Sequence, residues 1–194
     1  MVQSFPLILG IGGTTRLGST SEKALRYALQ HASGLGCRTE LIAGPDLPLE
    51  PFDPSHTFRS DTALHLVKMM READGVIIAS PGYHGSISGL VKNALDYTED
   101  MRADARVYFD GIAFGCIAAA DGPQALGSTV ATLRSIAHSL RAWPTPYAAM
   151  VNSTTKPFGQ DGATIDPSVA KGLETMAGQV VFFAMMRQAL KAAI

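Results

Sequence analysis

Two cysteines in 194 residues, with no Cys-x-x-Cys and no Cys/His spacing, leave the chain without a disulfide framework or a thiolate metal site. Cys37 and Cys116 each lie inside an apolar, strand-like run and read as core thiols. The five histidines form no metal constellation: His31, His56, His65 and His138 are scattered over helix or loop positions, and His84 sits in a glycine-rich stretch. Charge of one sign is also missing. Sixteen Lys and Arg stand against 17 Asp and Glu, a formal net charge of −1, which gives no general attraction to nucleic acid or to an anionic membrane. No apolar run is long enough to cross a bilayer, and Met-Val-Gln-Ser-Phe-Pro offers no charged n-region with an apolar core. The expectation is a soluble cytoplasmic protein whose partner is a small molecule or another protein.

What is present is an apolar fraction of 46% arranged in alternating short runs and amphipathic stretches. Residues 7 to 12, 76 to 79 and 111 to 120 are apolar on both faces, as strands buried in a parallel sheet are. Residues 37 to 43 alternate in their first half and read as a strand nearer an edge, and Tyr147 to Val151 reads as the fifth. Helical spacing follows each: Ala24, Leu25, Ala28, Leu29 and Ala32; Leu64, Val67, Met70 and Ala73; Leu90, Val91, Ala94 and Leu95 running to Met101; Leu126, Val130, Leu133, Ile136, Ala137 and Leu140; and, over about 168 to 192, Val169, Leu173, Met176, Val180, Phe183, Met186 and Leu190. The order is β-α five times in a chain long enough for one domain. That order predicts an α/β three-layer sandwich over residues 1 to 194, with a five-stranded parallel sheet in the order 2-1-3-4-5 and right-handed crossovers. Ligands of such sheets sit beyond the carboxyl ends of the strands, which places the loops at 13 to 21, 81 to 88 and 121 to 123 on one rim.

The first of these loops, Gly12 to Ser21, turns into a helix N-terminus, where free N–H groups and the helix dipole favour an anion. It fails as a dinucleotide fingerprint, because Gly10 and Gly12 are followed by Thr15 where the third glycine is due. It also fails as a nucleoside triphosphate loop: Gly13, Gly18 and Thr20 fit, but Ser19 stands at the lysine position. The remaining hydroxyls of Thr14, Thr15, Ser19, Thr20 and Ser21, with the planar fork of Arg16, suit a single terminal monophosphate. An N-cap box with spare hydroxyls and a solvated arginine is the alternative. The second loop lies in Ser80-Pro81-Gly82-Tyr83-His84-Gly85-Ser86-Ile87-Ser88-Gly89, a strand-to-helix passage that presents flat, polar-tipped rings between glycines. A monophosphate at the first loop and a flat ring reaching the second and third describe flavin mononucleotide. No serine or carboxylate is spaced to make His84 a general acid or base, and no catalytic side chain is assigned.

Gly13 to Ser21 and, more specifically, Ser80 to Tyr97 resemble the NADPH-dependent FMN reductase family of flavodoxin-like proteins, in layout over about residues 1 to 155. Flavin reductases of two-component monooxygenases, with chromate, azo and quinone reductases as relatives, are the nearest in look. The resemblance implies that Arg16, Ser19, Thr20 and Ser21 hold the FMN phosphate, that Pro81, Gly82, Tyr83 and His84, with backbone of Gly85 and Ser86, face the ring, and that Asp121 and Gly122 line the third loop. The family often has Glu where this chain has Gly82. It also implies NADPH or NADH as hydride donor, a homodimer or homotetramer with the helix from Leu90 to Met101 as contact surface, and a flavin-dependent monooxygenase as possible partner. A flavodoxin-type electron carrier is the rival reading, although such carriers use an acidic docking face that this nearly neutral chain lacks. Arg102 or Arg106 would be the basic group for a 2′-phosphate, though neither lies in a motif.

Overall fold

A computed structural model describes residues 5–159 and 161–193. Strand β1 (Leu7–Gly12) is buried along its whole length, as its two-sided apolar pattern requires, and runs into helix α1 (Thr20–Gly34). The half-exposed β2 (Arg38–Ala43) pairs on one side of β1, and β3 (Gly75–Tyr83) on the other. Helix α2 (Asp61–Glu72) precedes β3, and α3 (Gly89–Asp96), capped by the Ser88 hydroxyl, follows it and tightens into a 3₁₀ turn over Tyr97–Met101. Strand β5 (Ala113–Ala120) pairs in parallel with β3 and leads to α4 (Pro123–Ser139). The strand order reverses between β1 and β3, which run parallel, so their carboxyl ends form the topological switch point.

Two features go beyond the five-strand pattern. The fifth strand is broken into β6 (Trp143–Pro144) and β7 (Ala149–Asn152), both parallel to β5, with Pro146, which has no N–H to give the ladder, between them. The segment read as a glycine-rich loop is instead a hairpin: β3 continues through Tyr83, and β4 (Ser86–Ile87) folds back on it. His84 and Gly85 form the two-residue turn with φ of 50° and 86°, the double left-handed geometry that matches strand twist. With the broken strand counted once and the hairpin set aside, the order is that of a 2-1-3-4-5 sheet.

Helices cover both faces. Leu25 and Leu29 of α1 pack with Leu173, Met176 and Val180 of α5 (Pro167–Ala193) on one side. Leu66 and Met70 of α2, Val91 and Leu95 of α3, and Leu133 and Ala137 of α4 fill the other. The small residues of β5 are there for α5, since a Cβ on Gly115 would stand 2.3 Å from the Met176 sulfur. Beyond Ala184 the apolar stripe expected of α5 no longer faces the sheet, and Met186 and Leu190 are exposed. Among the described residues no helix is long and apolar enough to cross a membrane.

The proline-rich passage from Gly44 to Ser60 is held in place. Asn93 donates to the carbonyls of Pro48 and Glu50 and accepts the Phe52 N–H, at 3.2, 2.9 and 2.8 Å. Arg59 makes a two-pronged bond to Asp100 at 2.7 and 2.8 Å with its guanidinium 4.9 Å from the Phe52 ring centre. That carboxylate stabilises the charged guanidinium and raises its pKa.

Candidate functional site

The three rim loops meet in a cleft of about 340 Å³ lined by Thr14, Arg16, Ser19, Thr20, Ser21, Pro81, Gly82, Tyr83, Asp121 and Gly122. Ala119, Ala120, Ala125 and Ser153 complete the lining. The alanines end β5 and begin α4, and Ser153 follows β7, so the rule that loops at strand carboxyl ends build the site reaches them as well. Larger hollows of about 380 and 410 Å³ lie at the end of α1 and between α3 and α4. The first is an open dent and the second a groove between helix flanks. Neither is at the head of a helix, where unused amides face the solvent.

At the head of α1, Ser19 is the N-cap and its hydroxyl accepts the Glu22 N–H at 3.3 Å. Its hydroxyl also lies 3.3 Å from that of Ser21, and both side chains are buried. Among the described residues the backbone N–H groups of Ser19, Thr20 and Ser21 have no protein acceptor. Three consecutive residues with unused amides therefore line the cleft at the positive end of the helix dipole beside the exposed Arg16, a donor set that suits a phosphate. The Thr14 hydroxyl bonds both the N–H and the carbonyl of Arg16 at 3.1 Å and shapes the turn that carries it.

The ring side is built by β3 and α4. In a two-residue hairpin the Tyr83–Ser86 pair exchanges hydrogen bonds, so Gly82, opposite Ile87, turns its N–H and carbonyl away from β4. A Cβ on Gly82 would lie 2.7 Å from the Thr129 hydroxyl and 3.2 Å from both the Ala120 Cβ and the Ala125 carbonyl. This accounts for the absence of the family's frequent glutamate: α4 has filled the space a side chain would use. The Thr129 hydroxyl is itself fully buried and lacks a hydrogen-bond partner among the described residues. Tyr83 stands exposed at the cleft's edge.

His84, Gly85 and Ser86 are exposed at the hairpin tip and do not contribute to the lining. The extended course of β3 carries them past the cleft. Neither arginine considered for a 2′-phosphate is at this rim. The Arg106 guanidinium donates to the carbonyls of Met70, Arg71 and Ala73 at the end of α2, which adjoins the opposite, amino end of β3, and Arg102 lies 3.5 Å from Glu99. Lys92 is paired with Asp96 on the outside of α3. Of the titratable side chains lining the cleft, Arg16, Tyr83 and Asp121, none is hydrogen-bonded to another among the described residues, so the arrangement is one for binding and orientation. Burial pushes the Cys116 thiol, in mid-strand β5, up to about 12.

A doubly wound parallel sheet in this strand order, with a cleft at its switch point, defines a flavodoxin-like protein. Solved structures agree on the fold. The flavoenzyme NAD(P)H:(acceptor) oxidoreductase of Paracoccus denitrificans superposes with a TM-score of 0.75 at 20% identity over 93% of this chain and 98% of that one. An apo NADH:FMN oxidoreductase superposes with a TM-score of 0.66 at 22% identity over 90% of each. Residues 6–156 match the model of the NADPH-dependent FMN reductase family, and the chain belongs to that family. An FMN-dependent NADPH-azoreductase of Staphylococcus aureus is 33% identical over 90 residues, 44% of this chain and 48% of its own length. An iron-sulfur flavoprotein of Methanocaldococcus jannaschii is 29% identical over 102 residues, 49% of this chain and 53% of that protein. The chain thus spans about half the length of the curated relatives it matches.

Proposed function

We propose that the protein is an NAD(P)H-dependent FMN reductase that passes electrons on to a flavin-dependent monooxygenase or to a small acceptor such as a quinone, an azo compound or chromate. The observation that carries this reading is the convergence, in one cleft, of three unused helix-terminal amides and the side-chain-free Gly82 near the carboxyl end of β3. When bound, FMN would supply the redox chemistry as acceptor of a nicotinamide hydride. The chain binds and orients. The amides of Ser19, Thr20 and Ser21, with Arg16 and the Thr20 hydroxyl, hold the phosphate, and Thr14, whose hydroxyl proton goes to the Arg16 carbonyl, shapes the turn that presents Arg16. Pro81, Gly82 and Tyr83 form the ledge for the ring, Gly82 leaving it clear of a side chain. Asp121 and Gly122 close the third side, and Ser153 the fourth. His84, Gly85 and Ser86 act through the turn that fixes Tyr83. Because the flavin carries the chemistry, no acid-base pair is required of the protein.

The family membership and the outer face of α3, next to the groove formed by Leu95, Tyr108, Ile136 and Leu140, support a homodimer or homotetramer. The test is purification without added cofactor, a visible spectrum, and NADPH and NADH oxidation with and without FMN. Flavin-dependent oxidation is expected. FMN binding with no direct NAD(P)H oxidation would make the protein an electron carrier instead, and no FMN binding at all would end the proposal.

A further inference from the structure

Glu22 lies at the third position of α1, four residues after Gly18, and is 4% exposed. In an ordinary capping box a glutamate there accepts the N–H of the N-cap residue, which is Ser19. Here it reaches one residue further. Its Oε2 accepts the Gly18 N–H at 2.9 Å, while Oε1 is held by Nε and Nη2 of Arg26, each at 2.9 Å. Gly18 permits the shift, since its φ of +68° is a conformation that a side chain resists. The other half of the box is normal, with the Ser19 hydroxyl accepting the Glu22 N–H. The consequence is an altered inventory of donors. The Gly18 and Glu22 amides are consumed inside the protein, and the Ser19 amide, which the usual box would silence, is left without a protein acceptor among the described residues, like those of Thr20 and Ser21, all three on residues that line the cleft. The carboxylate itself stays out of the lining, and Arg26 balances its charge.

We propose that Glu22 is a positioning residue that selects phosphorylated flavin: by taking the Gly18 N–H it frees a third amide for the phosphate and makes the cleft prefer FMN to riboflavin. This rests on the first loop being the phosphate site. The experiment measures dissociation constants for FMN and for riboflavin by flavin fluorescence quenching on flavin-free wild type, Glu22→Ala and Glu22→Gln. Loss of a charge-assisted loop tie predicts that Glu22→Ala weakens FMN at least about tenfold with riboflavin within about threefold. Glu22→Gln, whose side-chain oxygen still accepts the Gly18 N–H, keeps FMN within about threefold of wild type. An unchanged Glu22→Ala, equal losses for both flavins, or a Glu22→Gln as weak as Glu22→Ala would each overturn the assignment. A wild type that does not distinguish FMN from riboflavin overturns the phosphate site itself, a separate failure visible before any variant is made. Should Glu22→Ala fail to fold, amide exchange on the wild type decides. The Gly18 amide is expected to be protected before FMN is added, with FMN then protecting Ser19, Thr20 and Ser21. A Gly18 amide that exchanges freely without FMN overturns the proposal.

Discussion

Gly82→Ala isolates packing from backbone conformation, because Gly82 lies in β3 with a φ that any residue adopts. The added methyl would meet the Thr129 hydroxyl at 2.7 Å, and the Ala120 Cβ and the Ala125 carbonyl at 3.2 Å. Two of these belong to backbone or to a side chain with no rotamer freedom, and Thr129 is fully buried, so the methyl has nowhere to go without shifting β3 against α4. Overpacking of this kind costs about 1–3 kcal/mol. Thr129→Ala alone is expected to cost within about 1 kcal/mol, since a lost buried methyl is offset by removal of an unpartnered hydroxyl. In the double variant the new methyl enters the vacated space, so the two changes should be non-additive by about 1–2 kcal/mol. Urea unfolding followed by far-ultraviolet circular dichroism of the four proteins measures this. FMN affinity should fall in Gly82→Ala and recover in the double variant, because the same shift displaces the proposed ledge. Costs that add to within about 0.5 kcal/mol would refute the contact as the reason for glycine at this position.

Thr129→Val keeps the shape and removes the orphan hydroxyl, and should stabilise the protein by about 1 kcal/mol, a rise of about 2–4 °C in Tm by calorimetry; a fall would reveal a hydrogen-bond partner for the hydroxyl. Arg16→Ala should weaken FMN about tenfold at low salt and riboflavin hardly at all, with the difference shrinking as ionic strength rises in a fluorescence titration. His84→Asn should leave FMN affinity within about twofold and raise stability by about 0.5 kcal/mol in urea, because Asn tolerates the left-handed turn position better; a large loss of affinity would show that the hairpin tip folds over the ring. With its pKa raised to about 12 by burial, native Cys116 should react with iodoacetamide at pH 8 more than about a thousandfold more slowly than in denaturant. Between about pH 8.5 and 12 the native state keeps a thiol proton that the unfolded chain has lost, so this group makes stability fall as pH rises across that window.

How far the sequence revealed the protein follows from the range over which each feature is encoded. Strands β1, β3 and β5 are uniformly apolar because helices cover both faces, and that local pattern was enough to place them and the rim they share. The hairpin escaped because its turn is His84-Gly85 rather than the Asn-Gly or Asp-Gly pair that announces a left-handed double turn. The full length of α5 was legible from its apolar spacing, but not where it leaves the sheet, since Met186 and Leu190 continue the period after the surface it packs on has ended. The site divides in the same way. Ser19 and Glu22 advertise a capping box, yet whether the carboxylate takes the Ser19 or the Gly18 amide depends on one backbone angle that no residue pattern encodes. Gly82 and Thr129 are more distant still: one is a departure from the family pattern, the other an unremarked position on α4. The glycine has a reason only when the chain is folded and the hydroxyl is found standing where its side chain would be. A departure from a family motif at such a position is therefore to be read together with the residue that packs behind it, because the room at one position is set by the side chain at the other.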